Sequence, residues 1–430
     1  LDNAKHTALL ITFYWPPSGG PGVHRWLRFS RYFQPNSWNL HVYAPQEASW
    51  PMRDEELSKE IPREVIEVRA PIFEPHTMLG KKNNPNVGGG LTQQKKAGIL
   101  QKLIIWVRGN LFVPDARVFW IKPSVKRLKK YLKENPEIDV IISTGPPHSC
   151  HLIALKLKKK FPNVKWVADF RDPWTEIDFY NELAIGKRAD AKHKRLEKQV
   201  LQTADKVISI GNDCAAGLQR IGGRPVDVIT NGFIFPELGT RVLDEGFTIA
   251  HFGSMSFPRN PEVLWKALSE LVRANKIFSR VLKIRLLGPV DAQVFDRIAE
   301  HELSTFVEHI PYVNHAESIR QQQRTQLLLL VANKTPNVKG ILTGKFFEYL
   351  GAERPILAIG ERDSDLETII QQTASGSFFG YEEVELVKQF VMHSFEAYMN
   401  NDLNVSIVNK EQFSSGEIAH QLITDLNKLF

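Results

Sequence analysis

The feature that most limits what this chain can become is an alternation, repeated from end to end, of short apolar runs with stretches of helical period. In the first half, strands are expected at Ala8–Phe13, Asn39–Ala44, Glu64–Val68, Asp139–Thr144, Lys165–Phe170 and Lys206–Ile210. In the second half they are expected at Val226–Thr230, Phe247–Gly253, Leu282–Gly288, Phe306–Ile310, Leu327–Ala332 and Pro355–Gly360. The runs are continuous rather than alternating, which marks strands covered on both faces. Strands separated by helices run parallel, because a parallel pair needs a long crossover. The sequence therefore predicts an α/β protein with two doubly wound, Rossmann-like parallel sheets. Its 430 residues exceed one ordinary core and suit two domains of about 200 residues each. The turn-rich stretch Thr230–Gly239 is the expected joint, and a last helix is expected over Glu411–Phe430.

Charge is spread unevenly. Between Lys81 and Lys133 stand Lys81, Lys82, Lys95, Lys96, Lys102, Arg108, Arg117, Lys122, Lys126, Arg127, Lys129, Lys130 and Lys133, against the single acid Asp115. Ile104, Ile105, Trp106, Leu111, Phe112, Phe119 and Trp120 lie among them. Basic residues interleaved with tryptophan and aliphatics suit an anionic membrane surface, although a nucleic acid or a plain solvated face would show the same composition. No apolar run reaches the roughly 18 residues of a membrane span, and no signal peptide is recognisable. Cys150 and Cys214 give neither a disulfide framework nor zinc spacing, so the expected setting is the cytoplasm.

Ligands of open parallel sheets sit beyond the carboxyl ends of the strands, and that rule selects a few loops. The first strand runs into Tyr14-Trp-Pro-Pro-Ser-Gly-Gly-Pro-Gly-Val-His-Arg25. A dinucleotide fingerprint fails there, since Gly20-Pro21-Gly22 meets Arg25 where the third glycine belongs, and no P-loop lysine follows. Asp169-Phe170-Arg171-Asp172-Pro173-Trp174 puts three charges at the end of a buried strand, which suits either a ligand or an internal Asp–Arg pair. His148, in Ser143–His148, is a candidate base or a plain structural histidine. Arg171, Asp172 and His148 are thus the candidate catalytic groups, with His24, Asp169 and Trp174 on the acceptor side.

The richest stretch is Thr343-Gly-Lys-Phe-Phe-Glu-Tyr-Leu350. Thr343 reads as an N-cap, and Gly344 lets a ligand approach the free amides. Lys345 at a helix N-terminus suits a diphosphate, and Glu348 one turn on suits ribose hydroxyls, unless the two are an ordinary salt pair. Gly253, Ser254, Arg259 and Asn260, after another strand, would meet the same diphosphate. Asp363-Ser364-Asp365 has the D-x-D spacing of a metal site but reads as a helix cap, so no metal is expected.

Together these residues resemble glycosyltransferase family 4 and its relatives, retaining enzymes of the GT-B fold. Pro16-Pro17 with Gly19-Gly20 is similar to the family's N-terminal glycine loop, which faces the donor diphosphate across an interdomain cleft. Thr230-Asn231-Gly232 resembles its Asn-Gly turn, Phe252–Asn260 its first C-domain loop, and Leu286-Leu287-Gly288 the strand end near the nucleobase. Gly344–Leu350 with Arg354-Pro355-Ile356-Leu357 resembles the donor-binding helix. Gly340 stands where the family often carries a first glutamate, and Arg171 where it often carries a histidine. The resemblance implies an acceptor-binding domain over 1–230, a nucleotide-sugar domain over 231–410, and a helix over 411–430 that crosses back. It implies transfer of a sugar from a nucleoside diphosphate sugar, without a metal or other cofactor. With the basic stretch, it points to a lipid-linked or saccharide acceptor, cell-envelope polysaccharide synthesis, and peripheral attachment to the inner membrane face rather than nucleic acid. A sugar-nucleotide epimerase of the same fold and a non-catalytic basic binding protein are the alternatives.

Overall fold

Why the apolar runs are unbroken is plain at β1 (His6–Ile11). Leu9 and Ile11 enter one hydrophobic cluster and Ala8 and Leu10 another, so both faces of the strand are covered. The computed structural model describes residues 6–74, 106–107, 109–177, 180–234, 242–335, 338–340 and 342–430. Of the basic stretch, Lys81, Lys82, Lys95, Lys96, Lys102, Ile104, Ile105 and Arg108 lie outside these residues, as do residues 235–239 of the expected joint.

The chain divides into two units, residues 1–231 with 415–430 and residues 232–414. In the first, β1 is joined by β2 (Trp38–Pro45), β3 (Ile66–Ala70), β4 (Ile138–Gly145), β5 (Lys165–Phe170), β6 (Lys206–Ser209) and β7 (Asp227–Val228). The order is β3-β2-β1-β4-β5-β6-β7, every pair parallel. The described helices here are α1 (Pro21–Ser30), α2 (Val118–Glu134), α3 (Ser149–Lys158), α4 (Lys187–Thr203) and α5 (Asn212–Gly222).

The second unit has β8 (Phe247–Phe252), β9 (Leu282–Leu287), β10 (Val307–Ile310), β11 (Leu327–Val331), β12 (Ile356–Ile359) and β13 (Gly376–Phe379). They lie in the order β10-β9-β8-β11-β12-β13, again all parallel. Its helices are α6 (Glu262–Ala274), α7 (Lys276–Val281), α8 (Ala292–Glu300), α9 (His315–Arg324), α10 (Gly344–Ala352), α11 (Asp365–Thr373) and α12 (Val384–Met399). The chain ends in α13 (Ser415–Asn427), which packs in the first unit. There Ile418, Leu422, Ile423 and Leu426 share a core with Trp26, Leu27 and Phe29 of α1. The Trp38 indole also donates to Asn427 Oδ1 at 3.1 Å.

Of the expected strand Val226–Thr230, ahead of the joint, only Asp227–Val228 pairs as β7, with β6 at the edge of the first sheet. The crossover between these two parallel strands is α5. The sequence reading also omitted β13, whose Gly-Ser-Phe-Phe has too little apolar length to register as a run. Among the described residues no helix is long and apolar enough to cross a membrane.

Candidate functional site

The strand order of the second unit reverses between β8 and β11, and in such sheets the carboxyl ends at the reversal open a crevice. Gly253, just past β8, has a φ of 93°, and its amide donates to Leu287 O at 2.6 Å. A Cβ on Gly253 would lie 2.6 Å from Lys345 Cε, so the lysine crosses the strand end only because the residue is glycine. Lys345 Nζ donates to Ser254 O at 3.4 Å and lies 3.3 Å from His251 Nε2. Arg259 reaches the same Ser254 oxygen with Nη1 at 3.4 Å, while its Nε donates to Asn333 Oδ1 at 2.7 Å. Two cations therefore converge on one backbone carbonyl. Burial, and then the Arg259 charge, pull the Lys345 ammonium down to about 7, against the opposing pull of the Glu348 carboxylate.

Helix α10 holds Lys345 and Glu348 on different neighbours. Phe346, Phe347 and Leu350 are fully buried. The Tyr349 hydroxyl donates to Leu329 O at 3.3 Å and accepts from Phe252 N at 3.1 Å, pinning the helix to β11 and β8. Glu348 accepts from His315 Nε2 at 3.1 Å and Gln322 Nε2 at 3.4 Å, both on α9. Gly344 has open space where a side chain would stand, so the fold itself does not demand glycine there.

Two readings in this unit change, and the cap expected at Asp363–Asp365 is present. Thr343 occupies the N-cap position but makes no side-chain cap bond, and its buried Oγ1 has no partner among the described residues. Asn260 is committed to α6: its amide accepts from Trp265 Nε1 at 2.8 Å and donates to Glu262 Oε2 at 3.0 Å. At α11 the cap is Ser364, which accepts from Glu367 N at 3.3 Å, with Asp365 behind it as the first helical residue.

In the first unit the sheet order reverses between β1 and β4. The opening loop is tied down by the Gly19 amide, which donates to Met52 O at 2.9 Å, and Gly20 starts α1 at a φ of 85°. Arg171 donates to Gly22 O at 2.6 Å and to Pro146 O, with its guanidinium 5.7 Å from the Tyr14 ring centre. It thereby fastens the loops after β1, β4 and β5 to one another. The internal Asp–Arg pair does exist, but its partner is distant in sequence. Asp169, with no exposed surface, accepts from Arg25 Nη2 at 3.0 Å, Trp26 Nε1 at 2.7 Å and Thr144 Oγ1 at 2.8 Å.

His148 and Trp174 are also interior, their rings stacked at 4.7 Å and 4°. Burial, then the neighbouring His151 and Arg171, hold the His148 ring well below its ordinary pKa and so neutral. Asp169 and Trp174 thus support the strand ends from beneath instead of facing an acceptor, because burial leaves them no surface to offer. His24 and Asp172 remain half-buried at the same end of the sheet.

Residues 87–234 match the sequence profile of Glycosyltransferase Family 4. Over that stretch the chain resembles the family. Its two-sheet architecture is the GT-B fold, shared along nearly its whole length with solved structures of low sequence identity. Sucrose-phosphate synthase from Thermosynechococcus elongatus is 14% identical with a TM-score of 0.63, covering 99% of each chain. The Anabaena Alr3699/HepE structure, in complex with UDP-glucose, is 13% identical with a TM-score of 0.60, covering 98% of this chain and 99% of that chain. A putative UDP-N-acetylglucosamine 2-epimerase from Listeria monocytogenes is 10% identical with a TM-score of 0.56, covering 99% and 97%. No curated protein matches the chain.

Sequence reasoning found Gly253, Ser254, Arg259 and Lys345, which the fold gathers at one strand end. It missed His251, Asn333 and Tyr349. The signal for His251 was available, since a histidine in Phe-Thr-Ile-Ala-His-Phe-Gly interrupts an otherwise buried strand.

Proposed function

We propose that this protein is a retaining glycosyltransferase whose donor is a nucleoside diphosphate sugar, with the diphosphate seated in the second unit. The observation that carries this is the convergence of Lys345 and Arg259 on Ser254 O at the carboxyl end of β8. Like charges gathered at one point repel unless an anion joins them, and the depressed Lys345 pKa is the measure of that repulsion and of burial. When the sugar leaves, negative charge grows on the diphosphate; Lys345, Arg259 and the amides at Gly344 stabilise it with no metal required. Glu348 accepts the ribose hydroxyls. The acceptor lies against the first unit near Gly19, Gly20 and His24. The retaining outcome rests on the family resemblance.

We propose further that the acceptor is lipid-linked, in cell-envelope polysaccharide synthesis at the cytoplasmic membrane face. Support comes from α2. Phe119, Lys122, Lys126, Lys130 and Lys133 are exposed at helical spacing on one side of it. At the end of this stripe Phe119 meets Phe73 and Phe112 edge-on at 6.0 and 5.7 Å, and Phe73 is 53% exposed. Cations beside exposed aromatic rings suit an anionic lipid surface.

The first test is a thermal-shift screen over nucleotide sugars, where a ligand at 100 times its Kd adds about 2.7 kcal/mol. A stabilising nucleotide sugar supports the reading. No response to any of them, with steep salt-dependent binding to nucleic acid instead, supports a basic binding protein. Conversion of the donor sugar with no acceptor present marks an epimerase.

A further inference from the structure

We infer that His251 is a positioning residue, which holds the Lys345 ammonium across Gly253 in the pose that meets the donor's diphosphate. This rests on reading that strand end as the diphosphate site, and it adds a residue to it.

The neighbours of His251 fix its tautomer. His251 lies inside β8 with 1% of its surface exposed. Its Nδ1 is 3.0 Å from Leu329 O on β11, and a carbonyl oxygen only accepts, so Nδ1 carries the proton. Burial and then the Lys345 charge keep the ring neutral, so Nε2 has a lone pair and no hydrogen. That lone pair faces Lys345 Nζ at 3.3 Å. The only proton available to this contact is the lysine's. Ser254 O, also near Nε2, takes a second lysine proton at 3.4 Å.

An ammonium has three protons, and a four-carbon stem gives it many poses. His251 and Ser254 engage two protons, while Gly253 leaves the room in which the stem lies. A third remains for a phosphate oxygen. Leu329 O is itself fixed by the Tyr349 hydroxyl at 3.3 Å, so the same oxygen orients the histidine and anchors α10. One bond thus ties the pose of the lysine to the packing of β8 on β11. Without His251 the ammonium is free to swing, and the ordering cost falls on ligand binding.

The test uses the full chain and inorganic pyrophosphate, a probe that needs no knowledge of the nucleobase or sugar. Titration calorimetry at pH 6, where Lys345 is the ammonium, compares wild type, His251→Leu, His251→Gln, Lys345→Ala and the double variant His251→Leu/Lys345→Ala. Leucine removes the acceptor, whereas glutamine puts an amide oxygen near the Nε2 position. We expect about tenfold weaker binding in His251→Leu, recovery to within about threefold in His251→Gln, and at least a tenfold loss in Lys345→Ala. The double variant should bind like Lys345→Ala alone, because the histidine acts only through the lysine. Wild-type affinity in a folded His251→Leu protein overturns the inference. So does an equal loss from His251→Leu in the Lys345→Ala background, which would mark a merely structural role. Unchanged affinity in Lys345→Ala is a different failure, since it removes the diphosphate site itself. If His251→Leu does not fold, the imidazole nitrogens of the wild type serve instead. The Nε2 resonance should move on Lys345→Ala substitution while Nδ1 stays, and movement of neither overturns the inference.

Discussion

At the scale of single residues, the donor reading stands on two side chains of α10 with different partners. Charge-assisted bonds contribute about 1.5–3 kcal/mol each. Glu348→Gln keeps the shape and one acceptor oxygen but loses the charge, so nucleoside diphosphate affinity should fall at least about tenfold. Lys345→Ala should weaken the diphosphate but spare the nucleoside, since its partner is phosphate. Both proteins should melt close to wild type, because neither side chain lies on the buried stripe of Phe346, Phe347 and Leu350. Unaltered calorimetric affinity in Glu348→Gln would leave the carboxylate as nothing more than the partner of His315 and Gln322. A pH dependence follows from Lys345, whose ammonium is pulled to about 7 by burial and Arg259, with His251 and Glu348 also facing it. Above pH 7 the free protein holds the amine neutral, while an incoming diphosphate favours the ammonium. Binding at pH 8 should therefore take up close to one proton, and affinity should fall as pH rises. The same shift makes the fold bind fewer protons than the unfolded chain between about 7 and 10.5, so this group's contribution to stability rises with pH across that window. Titration in buffers of different ionisation enthalpy reads the uptake directly; its persistence in Lys345→Arg would assign the proton to another group.

At the scale of elements, the buried ion pair of Arg25 and Asp169 joins α1 to the end of β5. Breaking it leaves Arg25 in the interior without its carboxylate, at a cost of about 3–5 kcal/mol. Asp169→Ala should show that loss in urea unfolding, and a change below 1 kcal/mol would mean that the carbonyls of Ile229 and Thr230, which Arg25 also reaches, suffice to hold it. The exposed stripe of α2 makes a separate claim. The protein should sediment with phosphatidylglycerol vesicles at low salt and release at high salt. Lys126→Glu/Lys130→Glu should abolish the effect without touching nucleotide binding; equal partition onto neutral phosphatidylcholine would remove the electrostatic account. These elements also show how far the sequence could be read. The long strands were legible because both faces are covered, which leaves an unbroken apolar run. β13 was not, since an edge strand of four residues with Gly376 and Ser377 carries almost no such pattern. Within the site, Lys345, Glu348, Gly253 and Arg259 were legible because each sits at a strand end or helix start that local pattern predicts. The roles of Arg171 and Asp169 were not, because they depend on Gly22, Pro146 and Arg25, partners fixed only when distant strands come side by side.

At the scale of the whole molecule, the first unit is discontinuous: its core includes side chains from both ends of the chain. Ile418, Leu422, Ile423 and Leu426 of α13 are all buried there, and burying each contributes roughly 1.5–3 kcal/mol. Removal of Ser415–Phe430 should therefore destabilise the first unit by several kcal/mol and leave the second largely intact. Hydrogen exchange would show the loss over residues 21–44, with protection retained over 247–399; uniform loss in both would contradict separate cores. The same discontinuity has a consequence on the ribosome. The second unit is contiguous, so it can complete its core as soon as it has left the exit tunnel. The first unit emerges earlier yet stays unfinished, with the apolar side of α1 uncovered, until a further 183 residues (Gly232–Ser414) and then α13 have been made. At about 5–20 residues per second that wait is roughly 10–40 s. Order of synthesis and order of completion are thus opposite in this chain, and the exposed α1 face is the surface a nascent-chain chaperone would have to shield.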